Sequence, residues 1–179
     1  TIAEKAAWAY VKGEGAGLEL ATVNPSAVLG PVLSGDFSAS LELLTQLLSG
    51  ALPATPNLGF QIVDVRDVAA THVAAMETPE AAGERFIAAG EYQWFRDIAR
   101  TLRDEYPDYA KKIPSRSLPS FLIPVLAIFN PVLKQILPEL DKKRVASNEK
   151  AQRMLGVTFR PAAESINVGA ASLIAHNVV

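Results

Sequence analysis

The stretch Leu18-Glu19-Leu20-Ala21-Thr22-Val23-Asn24-Pro25-Ser26-Ala27-Val28-Leu29-Gly30-Pro31 carries the reading of the fold. Leu18 to Val23 is a short run rich in Leu and Val, the composition of a buried strand. Asn24, Pro25 and Ser26 break that run into a loop, and Gly30-Pro31 is a second breaker. What lies on either side decides how large a sheet this strand belongs to.

Upstream, Ile2, Ala6, Ala9 and Tyr10 recur at helical spacing, and Thr1 with Glu4 forms a capping box. Residues 1–12 therefore read as a helix, ended by Gly13, Gly15 and Gly17. Downstream, Asp36 or Ser38 caps a helix to about Leu48, with Leu41, Leu44 and Leu48 along one stripe. A Pro-containing loop over 50–57 leads to a short strand, Phe60 to Val63. Asp67 caps a helix from Val68 to Met76, whose Val68, His72 and Met76 share one buried face. Arg85 to Ala89 reads as a strand closed by Gly90. Glu91 to Glu105 reads as a helix, Ser147 to Leu155 as another ended by Gly156, and Pro161 opens a last helix to about His176. Strand–loop–helix units followed by helices make an α/β protein that finishes in a mostly helical lobe. Two or three short strands are too few for a sheet covered on both faces, so the chain reads as the second half of a larger unit.

The chain has 179 residues, no cysteine and a formal net charge of −2. There is no disulfide framework and no thiolate metal site. His72 and His176 are too far apart to suggest a metal motif, and no metal ligand is assigned. The slightly acidic balance argues against a nucleic-acid partner. A cysteine-free chain fits a cytoplasmic location, and no basic-then-apolar leader opens it. Leu118 to Leu133 is nearly uncharged, but it is shorter than the roughly 20 residues of a membrane span and is cut by prolines. It reads as a packed core or lid helix, with an exposed partner-binding patch as the lesser alternative, and not as a membrane segment.

Charge is unevenly placed. Gly13 to Val65 holds no Lys or Arg, and all basic residues except Lys5 and Lys12 lie from Arg66 onward. A groove built from 13–65 has no cation of its own, so phosphate there would rest on backbone N–H groups and helix N-termini. Arg96, Arg100, Arg103 and Lys142, Lys143, Arg144 alternate with acids and read as a solvated surface. The Gly13-Gly15-Gly17 series follows a helix and precedes a strand, the reverse of a dinucleotide loop, so it reads as a helix stop. Asp64 and Asp67 bracket Arg66 as a helix-start cap with a local ion pair. No Ser/His/Asp set and no paired carboxylates assemble.

Four segments in order resemble the extended short-chain dehydrogenase/reductase family, also called the NAD-dependent epimerase/dehydratase superfamily. The dihydroflavonol reductase and cinnamoyl-CoA reductase-like branch is the nearest in pattern. Thr1-Ile2-Ala3-Glu4-Lys5-Ala6-Ala7-Trp8 resembles the text after that family's catalytic Tyr-x-x-x-Lys. Asn24-Pro25-Ser26-Ala27-Val28-Leu29-Gly30-Pro31 resembles its N-P-x-x-V-x-G-P loop, and Val63-Asp64-Val65-Arg66-Asp67-Val68-Ala69 its strand-to-helix segment. Leu155-Gly156 followed by Pro161 resembles its closing pattern.

The resemblance implies the C-terminal part of a Rossmann-type NAD(P)-binding fold over 1–90, with a substrate-side insertion at 32–63. It implies a mostly helical substrate-binding lobe and closing helix over 91–179. It also implies a parent protein that is an NADP- or NAD-dependent carbonyl reductase acting on a small-molecule carbonyl substrate. The Gly-rich loop and catalytic Tyr and Lys would lie in an N-terminal half that partners this one. Tyr10, Tyr92, Tyr106 and Tyr109 all fail the Tyr-x-x-x-Lys spacing, so no catalytic residue is assigned and this chain alone is expected to be inactive. Pro25, Ser26, Ala27 and Val28 would line the nicotinamide, and Ser40, or Ser38 if the register slips, would reach the diphosphate. Val32 to Phe37 and the apolar residues of 118–133 would close over substrate. Residues 2–12 would contribute to a homodimer interface. A sugar-nucleotide epimerase or dehydratase of the same superfamily is the alternative: Leu29 and Val32 stand where epimerases commonly place Tyr and Arg, which weighs against it, but the residues from Arg85 onward could supply the cations. A non-catalytic binding module is the reading from a different class.

Overall fold

The computed structural model describes residues 2–34, 39–128 and 131–179. The caps expected of Thr1, Asp36 and Ser38, and the 35–37 part of the expected substrate cover, lie outside those residues. Helix α1 (Ile2–Lys12) ends as expected at the glycine series, where the Gly13 N–H donates to Ala9 and Tyr10 carbonyls. None of its residues is buried. A polar node holds it to the sheet: the Glu4 carboxylate accepts from Arg85 Nε at 2.8 Å, the Thr22 hydroxyl at 3.2 Å and Trp8 Nε1 at 3.4 Å.

Strand β1 (Thr22–Pro25) is shifted from the expected Leu18–Val23. Pairing decides this. The Gly83 N–H donates to Leu20 O, the Thr22 N–H donates to Glu84 O, and parallel register with β4 (Arg85–Ala88) then runs from Thr22 to Pro25. Leu18 is left exposed. Pro25 takes the last position, at the strand's end, where a missing N–H does least harm to a ladder. Only Ser26 separates β1 from β2 (Ala27–Leu29), which pairs in parallel with β3 (Gly59–Asp64). Strand β5 (Tyr92–Trp94) adds to β3 in antiparallel sense. The 92–94 part of the expected helix is thus strand, and Glu91 lies outside both elements, because three residues with two aromatics fit the open β3 edge. Helix α4 (Phe95–Glu105) follows. The chain crosses β3 at Gly90, where a Cβ would come 2.3 Å from the Ile62 carbonyl oxygen, so only glycine fits.

Two cores result. The larger gathers Leu29, Leu44 and Leu48 of α2 (Ala39–Ser49), Ile62, Ile98 and Leu102 of α4, and Ile166, Ala170 and Leu173 of α8 (Ala162–Ala175). The smaller holds Phe86 of β4, Ala81 and Ala151 of α7 (Glu149–Leu155). Gly156 ends α7 as expected, and does so in the left-handed conformation, with φ 66°.

Helix α3 (Val65–Glu77) starts earlier than expected, capped by Asp64 and not Asp67. Its expected apolar face is also wrong: His72 and Met76 are exposed, and the buried residues are Asp67 and Thr71. Each buried polar group is paired. The Thr71 hydroxyl donates to the Asp67 carbonyl at 2.7 Å, and the Asp67 carboxylate receives the Arg160 N–H and guanidinium. The His72 ring lies 2.8 Å from the Val68 carbonyl through Nδ1.

Helices α5 (Ile123–Leu126) and α6 (Pro131–Ile136) come from the apolar stretch. Ile123 and Ala127 are buried, while Phe121, Val125 and Ile128 are exposed. Among the described residues no helix is long and apolar enough to cross a membrane.

Candidate functional site

The site grows from the point where the chain leaves one sheet for the other. The Ser26 N–H donates to Ala88 O at 2.9 Å, which closes the β1–β4 ladder, and the next residue already belongs to β2. Ser26 therefore sits at the carboxyl end of a parallel strand, the position where open α/β sheets bind ligands. Ser26 and Ala27 line a cavity of about 410 Å³ whose other walls include Leu58, Phe60, Gln135 and Arg144. Pro25 is exposed at the end of β1, and Val28 is half-buried in β2 opposite Val63.

Two polar atoms at this junction are buried without a hydrogen-bond partner, Asn24 Nδ2 and Ser26 Oγ. An unpaired buried polar group costs about 1–3 kcal/mol; of these two residues Ser26 lines the cavity and Asn24 does not. Ser40 lies half-buried in the first turn of α2 and is not among the cavity-lining residues. Ser38, its alternative, lies outside the described residues.

Behind the cavity wall, Asp64 anchors the segment read as a strand-to-helix motif. Its carboxylate accepts from the Arg66 N–H at 2.9 Å, from Arg66 Nε at 2.8 Å and from Nη2 at 2.8 Å. Burial pushes this carboxyl up, but the Arg66 hydrogen bonds outweigh it and hold it below the usual aspartate range. Arg66 also reaches Glu164 at 2.9 Å, tying α3 to α8. The expected cap with a local ion pair is thus present, with Asp64 as its acid. Asp67 pairs instead with Arg160, far along the chain.

The cavity is not built from residues 13–65 alone. Arg144 brings a cation to it, which the charge pattern had assigned to solvated surface. Spacing along Lys142-Lys143-Arg144 carries no sign of which of the three borders the cavity; Arg144 does so while 67% of its side chain stays exposed. Among the described residues no group of three or more His, Cys, Asp or Glu is placed to hold a metal.

A parallel sheet whose strand end opens on a cavity, followed by a helical lobe, is a Rossmann-type arrangement, and the chain is similar in sequence and fold to reductases of the extended short-chain dehydrogenase/reductase superfamily. No family model matches the sequence. Cinnamoyl-CoA reductase 1 of Arabidopsis thaliana is 37% identical over 108 residues, covering 60% of this chain and 30% of that protein. The structure of yeast methylglyoxal/isovaleraldehyde reductase complexed with NADPH superposes with a TM-score of 0.75 at 26% identity, over 99% of this chain and 54% of that one. The UDP-glucuronic acid 4-epimerase of Bacillus cereus shares the fold, with a TM-score of 0.66 at 17% identity over 96% of this chain and 50% of that one. The chain spans about a third of the length of the curated relatives it matches.

Proposed function

We propose that the chain is the part of an NAD(P)-dependent carbonyl reductase that walls the nicotinamide and holds the substrate. On this reading residues 1–90 complete a Rossmann-type domain, with 32–63 inserted on the substrate side, and 91–179 form the substrate lobe and closing helix. The observation that carries it is the Ser26 junction: a parallel strand ends there, on a cavity, with Asn24 Nδ2 and Ser26 Oγ buried and unpaired. Those two groups suit a ligand with amide and hydroxyl functions, as a nicotinamide nucleotide has. When bound, NADPH or NADH supplies the hydride.

This chain's own residues then do three things. Pro25 stiffens the turn and offers no N–H, so the wall holds the ring by shape. Ser26 and Asn24 orient the ligand through the unpaired groups. Leu58, Phe60 and Ile136 exclude water from the carbonyl, and their apolar surface favours a compact carbonyl compound over a sugar nucleotide. The proton donor belongs to the Tyr-x-x-x-Lys half of the full-length protein.

Ser26→Trp and Ala27→Trp in the full-length protein test the assignment. Each is expected to weaken NADPH or NADH binding by about tenfold or more, roughly 1.4 kcal/mol, while unfolding stays cooperative. An unchanged dissociation constant in both variants overturns the placement of the cofactor wall. Absence of NAD(P)H oxidation with aldehydes and ketones overturns the reductase reading itself.

A further inference from the structure

The cavity beside Ser26 is bordered by Arg144 of residues 141–148, a strap without helix or strand. Such a strap would wander unless held, and it is held at both ends. Asp141, at φ 59°, accepts from Asn57 Nδ2 at 2.6 Å and from the Ser120 hydroxyl at 2.7 Å, and its N–H donates to the Asn57 carbonyl at 2.9 Å. The Lys142 carbonyl accepts from the Tyr92 hydroxyl at 3.1 Å. Beyond, Ala146 exchanges two hydrogen bonds with the buried Gln61 amide: its N–H donates to Oε1 at 2.6 Å and its carbonyl accepts from Nε2 at 3.1 Å. Asn148 Nδ2 donates to the Ala89 carbonyl at 2.6 Å. Arg144 lies between these anchors and is the strap residue that lines the cavity.

The guanidinium is oriented as well as placed. Its Nε lies 3.0 Å from Glu139 Oε2 in an ion pair, and Glu139 lines the same cavity. That contact uses one edge of the guanidinium and leaves the outer N–H groups for another acceptor. The neighbouring Gln61 cannot do the same work. Gln61 spends both its amide hydrogens on Gly90 and Ala146 carbonyls and its oxygen on the Ala146 N–H. Leu58, Phe60 and Ile136 are apolar. The cavity thus has a polar wall at Ser26, an apolar middle and a guanidinium on the strap.

We infer that Arg144 is a specificity-determining residue, selecting carbonyl substrates with an apolar body and a second acceptor oxygen remote from the reacting carbonyl. This rests on the reductase reading above. A carboxylate or an ester carbonyl supplies such an oxygen, and a guanidinium fork matches either, the carboxylate best because it is bidentate and charged. The bonds to Asn57, Ser120, Tyr92, Gln61 and Ala89 are positioning contacts that keep Arg144 at the cavity.

Three aldehydes with one body test this in the full-length protein: 4-formylbenzoate, its methyl ester and 4-methylbenzaldehyde. Each is reduced to its benzyl alcohol while NADPH or NADH is oxidised to NADP or NAD. Arg144→Met is expected to lower the ratio of kcat/KM for the acid to that for the methyl compound by about 30-fold, mainly through KM, the loss of one charge-assisted pair. Arg144→Lys recovers part of that ratio, because it restores charge without the fork. An ester-to-methyl ratio that falls as far as the acid ratio supports the inference and identifies a neutral acceptor; a smaller fall identifies the carboxylate. Ratios unchanged within about twofold, or a uniform fall on all three aldehydes, overturn it. A wild-type protein that oxidises NADPH or NADH with other aldehydes or ketones but with none of these three overturns this inference alone, whereas one that does so with no aldehyde or ketone overturns the reductase reading and this inference with it.

Discussion

Replacing Asp64 separates three contributions that meet in one carboxylate. In Asp64→Ala the helix α3 cap is lost, which costs about 1 kcal/mol. The Arg66 guanidinium also loses two hydrogen bonds, at 2.8 Å each. Arg66 keeps 39% of its side chain exposed, so water replaces much of that loss and the ion pair contributes about 1 kcal/mol or less. The alanine also leaves a small void against Gly30 and Val65. The expected sum is about 2–3 kcal/mol in urea denaturation of the full-length protein. Asp64→Asn retains an acceptor for the Arg66 N–H but not the charge, so it should lose about half as much. The pH dependence has a definite sign. Asp64 is held below its ordinary range in the folded protein, so its contribution is complete above about pH 5 and fades as pH falls through the folded-state value, below about 4. The gap between wild type and Asp64→Ala should therefore narrow in acid. Equal stabilities at pH 7, or a gap that widens in acid, refute the reasoning.

Gly90→Ala should destabilise by about 3 kcal/mol or more, since the new methyl meets a backbone carbonyl that cannot retreat without opening β3; thermal unfolding of the purified variant checks this. Gln61→Leu removes both strap bonds at Ala146 and the bond to the Gly90 carbonyl, groups that water can partly reach, so a loss of about 1–2 kcal/mol is expected. It should also raise KM for carbonyl substrates while the NADPH dissociation constant holds, and a KM within twofold of wild type counts against the strap's role.

The strand-to-helix segment was legible because its residues act locally: Asp64 caps the helix that begins beside it, and Arg66 is two residues away. The helix stops at Gly13 and Gly156 were legible for the same reason. What failed depended on distant partners. Asp67 is buried because Arg160, 93 residues on, pairs with it, and apolar periodicity points to Val68 and Met76 instead. Tyr92–Trp94 became strand because β3 offered an edge. At the site, the turn at Pro25-Ser26 was visible as a breaker, and its family resemblance pointed at a ligand wall. Arg144 was not visible, since the strap carrying it is steered by Gln61, Asn57 and Tyr92 from other elements.

The larger core has a kinetic consequence. Leu29, Leu44 and Ile98 come early in chain order, whereas Ile166, Ala170 and Leu173 on α8, which seal them, come last among the helices. Contacts so distant in sequence form slowly, because loop entropy is lost before any burial compensates. On a chain made from its N-terminus, the apolar faces of α2 and α4 stay uncovered until α8 has been synthesised, an interval in which chaperone capture and self-association compete with folding. The closing helix therefore sets the pace at which this lobe becomes a lobe at all.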